Sequence, residues 1–376
     1  AKGSVFVSAA AGSGKTAVLS SRVVSLLTDR SDPVSADRLL VVTFTNDAAA
    51  EMRARIEKKL NEECLKNPHD RLLLRQKYLL PSADICTIDS FCINLIRDNF
   101  ELCGISPDFK VSSGESLNEE RSAVLRNIFE DRLIKNEPAF KMLLNIADCE
   151  YDEKNLLSYV LAVYEKGQNM PSPEAFYNSL KAPYSIAFDK EHIWQKILFK
   201  KAKRLAEDLK KCVMQAANAG SFLQVNREAV LKDCETLSLL ADEISDLINS
   251  EDWDKIYSLM RSSEIPRIKS GDKTDPNYID YKDFRDEYKK CNTELKSIFN
   301  KCSSDIENDL KKSLPAVSMF VDIVKEFSDK FFEVCLEKNE LTFSMTEQIA
   351  LHLLAEEKDG EFVPTAVSEK IIARYS

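Results

Sequence analysis

The chain has 376 residues, of which 44% are hydrophobic and 30% are charged, and this composition indicates a folded protein of two or three domains. No run approaches the 18 or more apolar residues of a membrane span, and the N-terminus lacks a signal-peptide pattern, so we expect no membrane association. The net charge is −10, although residues 1–100 hold 14 basic and 12 acidic side chains. A protein that only coats nucleic acid is usually basic, whereas a motor that grips one strand along a groove need not be.

The cysteines are scattered along the chain. There are ten, with no Cys-x-x-Cys pair, and only three histidines accompany them. This pattern favours buried free thiols in a cytoplasmic protein over a zinc site.

Strand-like runs occur only near the N-terminus, at 5–7, 39–43 and 84–87, and each is followed by a helical pattern. Repeated strand, loop and helix predict a parallel α/β sheet. Beyond about residue 115 the apolar residues recur at helical spacing, as in "EERSAVLRNIFEDRLI" and "SMFVDIVKEFSDKFFEVCLEK". Two stretches rich in Pro, Gly and Ser, 167–176 and 262–281, are predicted to interrupt the helices.

The first predicted strand leads into "SAAAGSGKT", which fits a phosphate-binding loop except that Ala9 replaces the opening glycine. In such a loop, backbone N–H groups and a helix N-terminus hold the phosphates. Lys15 would then reach the β- and γ-phosphates, and the Thr16 hydroxyl would ligate Mg²⁺; these two residues are the catalytic candidates. The alternative is a chance Gly-Lys-Thr at a strand-to-helix turn. The predicted nucleotide-binding residues are Ala9, Ala10, Ala11, Gly12, Ser13, Gly14, Lys15, Thr16 and Ala17.

Polar residues follow the second and third predicted strands, where ligands bind in open α/β sheets. After the second strand, Phe44 can stack on a base, and Thr45 and Asn46 can bind a phosphate or sugar. The alternative is that Phe44 belongs to the core and Asn46 caps a helix. Asp89 and Ser90 follow the third strand in the same way.

These motifs carry a resemblance to a known family. "SAAAGSGKT", "LLVVTFTNDAAAEMRARI" and "TIDSFC" are similar, in order and spacing, to motifs I, Ia and Ib of the UvrD/Rep class of superfamily-one DNA helicases. The resemblance implies that residues 12–16 bind ATP and Mg²⁺. It also implies that Phe44, Thr45, Asn46, Asp89 and Ser90 contact single-stranded DNA.

Within that class, the three-alanine loop and Asp89 resemble the A subunits of bacterial ATP-dependent helicase/nucleases (AddA or RexA, which are RecB-like). The Pro-rich segment 163–176 and the segment 334–354 are also similar, with Phe176 where Trp is expected and Met345-Thr346 where Asp-Leu is usual. Ala17 stands where related motors can have Arg against the adenine. The resemblance implies exonuclease activity in the full-length protein, single- and double-stranded DNA ends as substrates, a partner B subunit, and a role in DNA repair.

The resemblance also predicts the architecture: a P-loop RecA-like parallel-sheet domain with a large all-helical domain inserted. The motor domain would comprise residues 1–112 and 340–376, and the helical insertion residues 113–339. The acidic magnesium motif of such motors is not found. Asp286-Glu287-Tyr288 is superficially similar, but its surroundings are polar and helical. We therefore expect the chain to stop just before that motif, and the fragment alone to be nearly inactive.

Three alternatives remain at this point. The nearest is a stand-alone UvrD/Rep-type helicase without a nuclease. A P-loop kinase for a small molecule would need an Arg-rich lid, whereas the helical region is net acidic. A scaffold with a vestigial P-loop would bind neither nucleotide nor DNA. The lysine-rich run "LFKKAKRLAEDLKKC" (198–212) fits either a DNA-facing stripe or a solvated helix face, and the interleaved acidic residues favour the latter.

Overall fold

The fold was analysed in a computed structural model of the chain. It describes residues 6–8, 10, 14–148, 154–268, 271–272, 274–358 and 360–375. Most of these residues are helical, and the strands are short and few. The helices are α1 Lys15–Leu27, α2 Asn46–Lys66, α3 Arg71–Leu79, α4 Ile88–Asp98, α5 Phe100–Cys103, α6 Asn118–Ile134, α7 Pro138–Ile146, α8 Lys154–Gln168, α9 Pro173–Ser179, α10 Ala182–Ser185, α11 Ile193–Ser221, α12 Arg227–Ser250, α13 Trp253–Ser262, α14 Pro276–Ile298, α15 Ser303–Glu337, α16 Phe343–Leu354 and α17 Ala366–Tyr375. The strands are β1 Leu40–Thr43, β2 Asp84–Thr87, β3 Lys110–Ser112, β4 Glu340–Thr342, β5 Ala355–Lys358 and β6 Glu361–Pro364.

The chain divides into two compact units. Unit 1 comprises Ala1–Asp131, Leu157–Pro173 and Lys325–Ser376, and unit 2 comprises Arg132–Leu156 and Glu174–Val324. Unit 1 is therefore assembled from three separate stretches of the chain.

In unit 1, parallel strand pairs follow the predicted α/β pattern. β1 pairs with β2 in parallel, with Thr43 opposite Thr87. β3 pairs in parallel with β4, which lies more than 200 residues further along the chain, and β5 and β6 form an antiparallel hairpin. The apolar sides of α1, α2, α3, β1 and β2 share one core. The strands predicted at 39–43 and 84–87 are thus confirmed to within one residue.

The strand predicted at 5–7 is not seen where the structure describes that stretch. Val5 lies outside the described residues, and Phe6 and Val7 have no strand partner and are 95% and 70% exposed. Parallel strands are normally buried on both faces. An apolar run that has no neighbouring strand beside it and no covering layer on its faces lacks the contacts that stabilise a strand.

Unit 2 is helical, and its core is dominated by α11, α12 and α14. The helices predicted from the spacing at 119–134 and 318–338 are confirmed by α6 and α15. The predicted interruptions are confirmed in part, since residues 169–172 separate α8 from α9 and residues 263–275 separate α13 from α14.

An ion pair lies inside unit 2, between α12 and α14. The Arg285 guanidinium donates from Nε to Asp233 Oδ2 at 2.8 Å and from Nη2 to Oδ1 at 3.1 Å. The Tyr281 hydroxyl donates to the same carboxylate at 2.7 Å. The side chains of Asp233 and Arg285 are only 4% and 7% exposed. Burial, together with the bond to Asp233, raises the pKa of Tyr281, so its proton stays in place to donate that bond.

Nine cysteines of the described chain carry free thiols. Burial raises the pKa of Cys92, Cys234 and Cys335 to about 11. No helix in the described part of the chain is long and apolar enough to span a membrane.

The buried thiols of Cys92, Cys234 and Cys335 are expected to resist alkylation. With a pKa of about 11, only ~0.1% of a thiol is thiolate at pH 8, and the thiolate is the nucleophile. Peptide mapping after iodoacetamide treatment should show Cys234 and Cys335 labelled at least tenfold more slowly than the less buried Cys302, with the difference narrowing as the pH rises toward 11. Equal rates at pH 8 in the folded chain would contradict this expectation.

Candidate functional site

The end of the predicted phosphate loop lies at the start of α1. Ala9, Ala11, Gly12 and Ser13 fall outside the described residues, and Ala10 is exposed. Gly14 has φ +80°, and among the described residues other than its chain neighbours no atom lies within 4 Å of the position that a Cβ would occupy. Glycine adopts this conformation without strain. The open space beside its backbone would let an anion approach closely.

The first turn of α1 suits a negatively charged ligand. Gly14 supplies no side-chain cap, and the first turn of α1 contains no acidic residue that would neutralise the positive end of the helix dipole. Lys15 is the first helical residue and is exposed; Thr16 is half-buried and Ala17 exposed. The backbone N–H groups of this turn and the Lys15 ammonium group fit the phosphates of a nucleotide, and the Thr16 hydroxyl is of the type that ligates Mg²⁺.

At the end of β1, Phe44 is 93% exposed, so it does not belong to the core. Thr45 is the N-cap of α2, and its hydroxyl accepts from the Ala48 N–H at 3.2 Å. The alternative prediction that Asn46 caps the helix is therefore wrong: Asn46 is the first helical residue, and its side chain is exposed. The capping bond uses an acceptor of Thr45 and leaves its hydroxyl hydrogen available for another partner.

At the end of β2, Thr87 caps α4 by accepting from the Ser90 N–H at 3.1 Å, and its hydroxyl lies 2.8 Å from the Ser90 hydroxyl. Asp89 is half-buried in the first turn of α4. It lies close enough to Glu347 of α16 that, together with burial, it raises the pKa of Glu347. Since Thr43 and Thr87 are paired, the residues after both strands emerge at one edge of the sheet.

A third junction of the same design has no counterpart among the sequence predictions. At the end of β4, Thr342 caps α16 by accepting from the Met345 N–H at 3.3 Å, and the exposed Phe343 follows the strand as Phe44 follows β1. Met345 and Thr346 are 3% and 0% exposed, so the two positions that depart from the family pattern face the interior. The recurring Thr-Phe at a strand end is the signal that would have revealed this junction.

Two other sequence candidates lie in unit 2. The triplet Asp286-Glu287-Tyr288 lies inside α14, as expected, and Tyr288 is completely buried. In the lysine-rich run on α11, Lys201, Lys203 and Lys210 form ion pairs with carboxylates at 3.2, 2.8 and 2.8 Å. This pairing with acidic side chains favours a solvated helix face at 198–212 over a DNA-facing stripe.

Comparison of the sequence with known proteins shows the family to which the chain belongs. Residues 1–362 match the model of the UvrD/REP helicase N-terminal domain. The chain belongs to the UvrD/REP helicase N-terminal domain family. Membership in the UvrD/REP family implies a RecA-like fold and the use of ATP.

The curated relatives of this UvrD/REP chain include proteins named as the A subunit of an ATP-dependent helicase/nuclease. The one from Acetivibrio thermocellus is 33% identical over 97% of this chain and 30% of its own length. Those from Bacillus licheniformis and Clostridium perfringens are 32% and 30% identical, over 97% and 100% of this chain. The chain spans about 30% of the length of these relatives.

Proposed function

We propose that the chain is the part of a DNA helicase/nuclease A subunit that binds ATP and single-stranded DNA. The whole protein would use ATP to translocate on single-stranded DNA and to process double-strand-break ends for recombination repair in the cytoplasm. It would act together with a B subunit, and it would carry an exonuclease. The names of the relatives and the family match support this proposal.

The observation that carries the proposal is the exposure of Phe44 at the edge where β1 and β2 both end. A large aromatic side chain that is 93% exposed gains nothing from the protein core, whereas it offers a face on which a base can stack. The small polar groups of Thr45, Asn46 and Ser90 beside it are suited to phosphate and sugar contacts.

The nucleotide site would use the groups at the start of α1. Lys15 would contact the β- and γ-phosphates, the backbone of residues 9–14 would follow the phosphate chain, and Thr16 would ligate Mg²⁺. When bound, ATP supplies the free energy of a phosphoryl-transfer reaction. The protein residues hold and orient it and neutralise its charge.

We also propose a domain organisation in which residues 1–112 and 340–376 form the RecA-like motor domain and residues 113–339 a helical insertion, of which 113–131, 157–173 and 325–339 belong to unit 1 together with the motor residues. The pairing of β3 with β4 supports this arrangement, because it joins residues 110–112 to residues 340–342 across the intervening helices. β1 with β2 and β3 with β4 form two separate two-stranded pairs, and the parallel pairing in each is what a RecA-like sheet requires.

The DNA contact is tested by Phe44→Ala. Loss of one stacked base should weaken binding of a fluorescein-labelled oligothymidine by about 5- to 150-fold, since base–aromatic stacking contributes about 1–3 kcal/mol. Fluorescence anisotropy of the 376-residue chain measures this directly. The thermal stability should not change, because Phe44 is exposed.

The matched control is Tyr78→Ala, which removes an aromatic that is 83% exposed on α3 and far in sequence from the proposed contacts. It should alter the affinity less than twofold. Equal effects of the two substitutions, or no binding by the unaltered chain at tens of micromolar, would contradict the proposed role of this edge.

A further inference from the structure

Lys59 of α2 reaches across to the first turns of α1. Its Nζ donates to the Ala17 carbonyl at 3.3 Å, to the Ser20 hydroxyl at 3.2 Å and to the Ser21 hydroxyl. Both hydroxyls in turn donate to the Ala17 carbonyl, at 3.0 and 2.8 Å. An ammonium group has three N–H donors, so these three acceptors use all of them and hold the side chain in one orientation.

The Ala17 carbonyl, which accepts these bonds, belongs to the residue that follows the proposed nucleotide contacts in the chain. Ala17 follows Thr16 directly and lies in the first turn of α1. Further along, α1 packs on α2 through the shared core that includes Val24 and Ile56. The ammonium bonded to a backbone carbonyl adds a directional contact to that apolar packing and sets the position of the N-terminal turn.

The charge of Lys59 acts in the same direction. Its three acceptors are a carbonyl and two hydroxyls, none of which carries a negative charge that could neutralise it. A positive charge beside the N-terminal turn adds to the helix dipole there. Its field favours an anion bound at Gly14–Thr16 over the short distance that solvent screening allows at these exposed or half-buried positions.

We propose that Lys59 is a positioning residue for the nucleotide: it fixes the N-terminal turn of α1 and adds positive potential to it. The inference rests on the proposed nucleotide-binding function of that turn. Since α2 begins just after Phe44 and Thr45, the same side chain joins the nucleotide-binding helix to the helix behind the proposed DNA contact.

The test compares Lys59→Met, Lys59→Gln and Lys59→Arg in the 376-residue chain, using a fluorescent mant-ATP with Mg²⁺. We expect Lys59→Met to raise the dissociation constant about tenfold. Lys59→Gln, which keeps a donor but loses the charge, should raise it three- to tenfold. Lys59→Arg, which keeps both, should stay within threefold. The affinity for oligothymidine should change less than twofold in all three.

The control is Lys58→Met, which removes an exposed lysine from the preceding position of α2 and should leave the mant-ATP affinity unchanged. If Lys59→Met does not fold, the comparison of Lys59→Gln with Lys59→Arg decides the question. The inference is overturned if the Gln variant binds mant-ATP as tightly as the unaltered chain. It is also overturned if losses of nucleotide affinity, DNA affinity and melting temperature run in parallel, since that marks a general structural role.

Failure of this inference is distinguishable from failure of the proposed function. If the unaltered chain binds mant-ATP and Lys15→Ala abolishes binding, while the Lys59 variants are normal, only the role of Lys59 is wrong. If the unaltered chain does not bind mant-ATP at all, the proposed function and the inference both fall.

Discussion

Replacing Lys15 by alanine is expected to raise the dissociation constant for Mg²⁺-ATP by about 30-fold or more. The change removes the ammonium group that would pair with the β- and γ-phosphates, and truncating one partner of such a charged pair costs about 2–5 kcal/mol. Lys15 is exposed at the start of α1, so the fold should not depend on it. Titration with mant-ATP, with circular dichroism as a check on folding, measures the effect.

The matched control is Arg22→Ala, which removes another exposed cation from the same helix, nearly two turns further along. It should change the affinity less than threefold. If Lys15→Ala binds the nucleotide as tightly as the unaltered chain does, the nucleotide does not use this loop. If neither protein binds it, a scaffold with a vestigial P-loop becomes the better interpretation.

Replacing Asp233 by alanine is expected to lower the free energy of unfolding by about 3–5 kcal/mol, because it leaves a buried guanidinium without its carboxylate. Arg285 is only 7% exposed, and the Tyr281 hydroxyl would lose its acceptor at the same time. Both tryptophans, Trp194 and Trp253, lie in unit 2, so urea titration followed by tryptophan fluorescence reports on the unit that contains the pair.

Asp242→Ala is the control on the same helix. Its ion pair with Lys210 has a similar distance, 2.8 Å, but the two side chains are 57% and 45% exposed, and exposed pairs contribute about 0–1 kcal/mol. Equal destabilisation by the two substitutions would contradict the assignment of a special role to burial. In the double variant Asp233→Leu, Arg285→Met, much of the lost stability should return, since well-packed apolar residues can replace a buried pair.

Local patterns in the sequence predict the parallel strands β1 and β2 and the helices α6 and α15. β1 and β2 are predictable because continuous apolar runs bounded by turn residues are typical of buried parallel strands. The same rule fails for Phe6 and Val7, because an apolar run becomes a strand only where neighbouring strands pair with it. The pairing of β3 with β4 cannot be predicted from local patterns either, because it joins segments more than 200 residues apart and neither segment has a long apolar run.

The candidate site is predictable more fully in its residue types than in their roles. The sequence leaves open whether Phe44 is core or exposed, and only the end of β1 at Thr43 settles its exposure. Lys59 is not predictable because it contacts Ala17 from 42 residues away, and beside Lys58 it looks like an ordinary surface lysine. Asp233 does have a signal in the sequence: it interrupts the apolar stripe of α12 between Val230 and Leu237.

The capping of the helices has a consequence for how the protein behaves without ligand. Thr45, Thr87 and Thr342 each bond the start of the helix that follows a strand, whereas α1 begins at Lys15 and its N-cap, Gly14, has no side chain to bond it. At φ +80° any other residue at position 14 would be strained, and a capping side chain there would compete with a phosphate for the same N–H groups. The start of α1 therefore lacks the ~1 kcal/mol that a capping side chain contributes, and a bound anion would supply that stabilisation, so the first turn of α1 should exchange its amide hydrogens more slowly with nucleotide than without it.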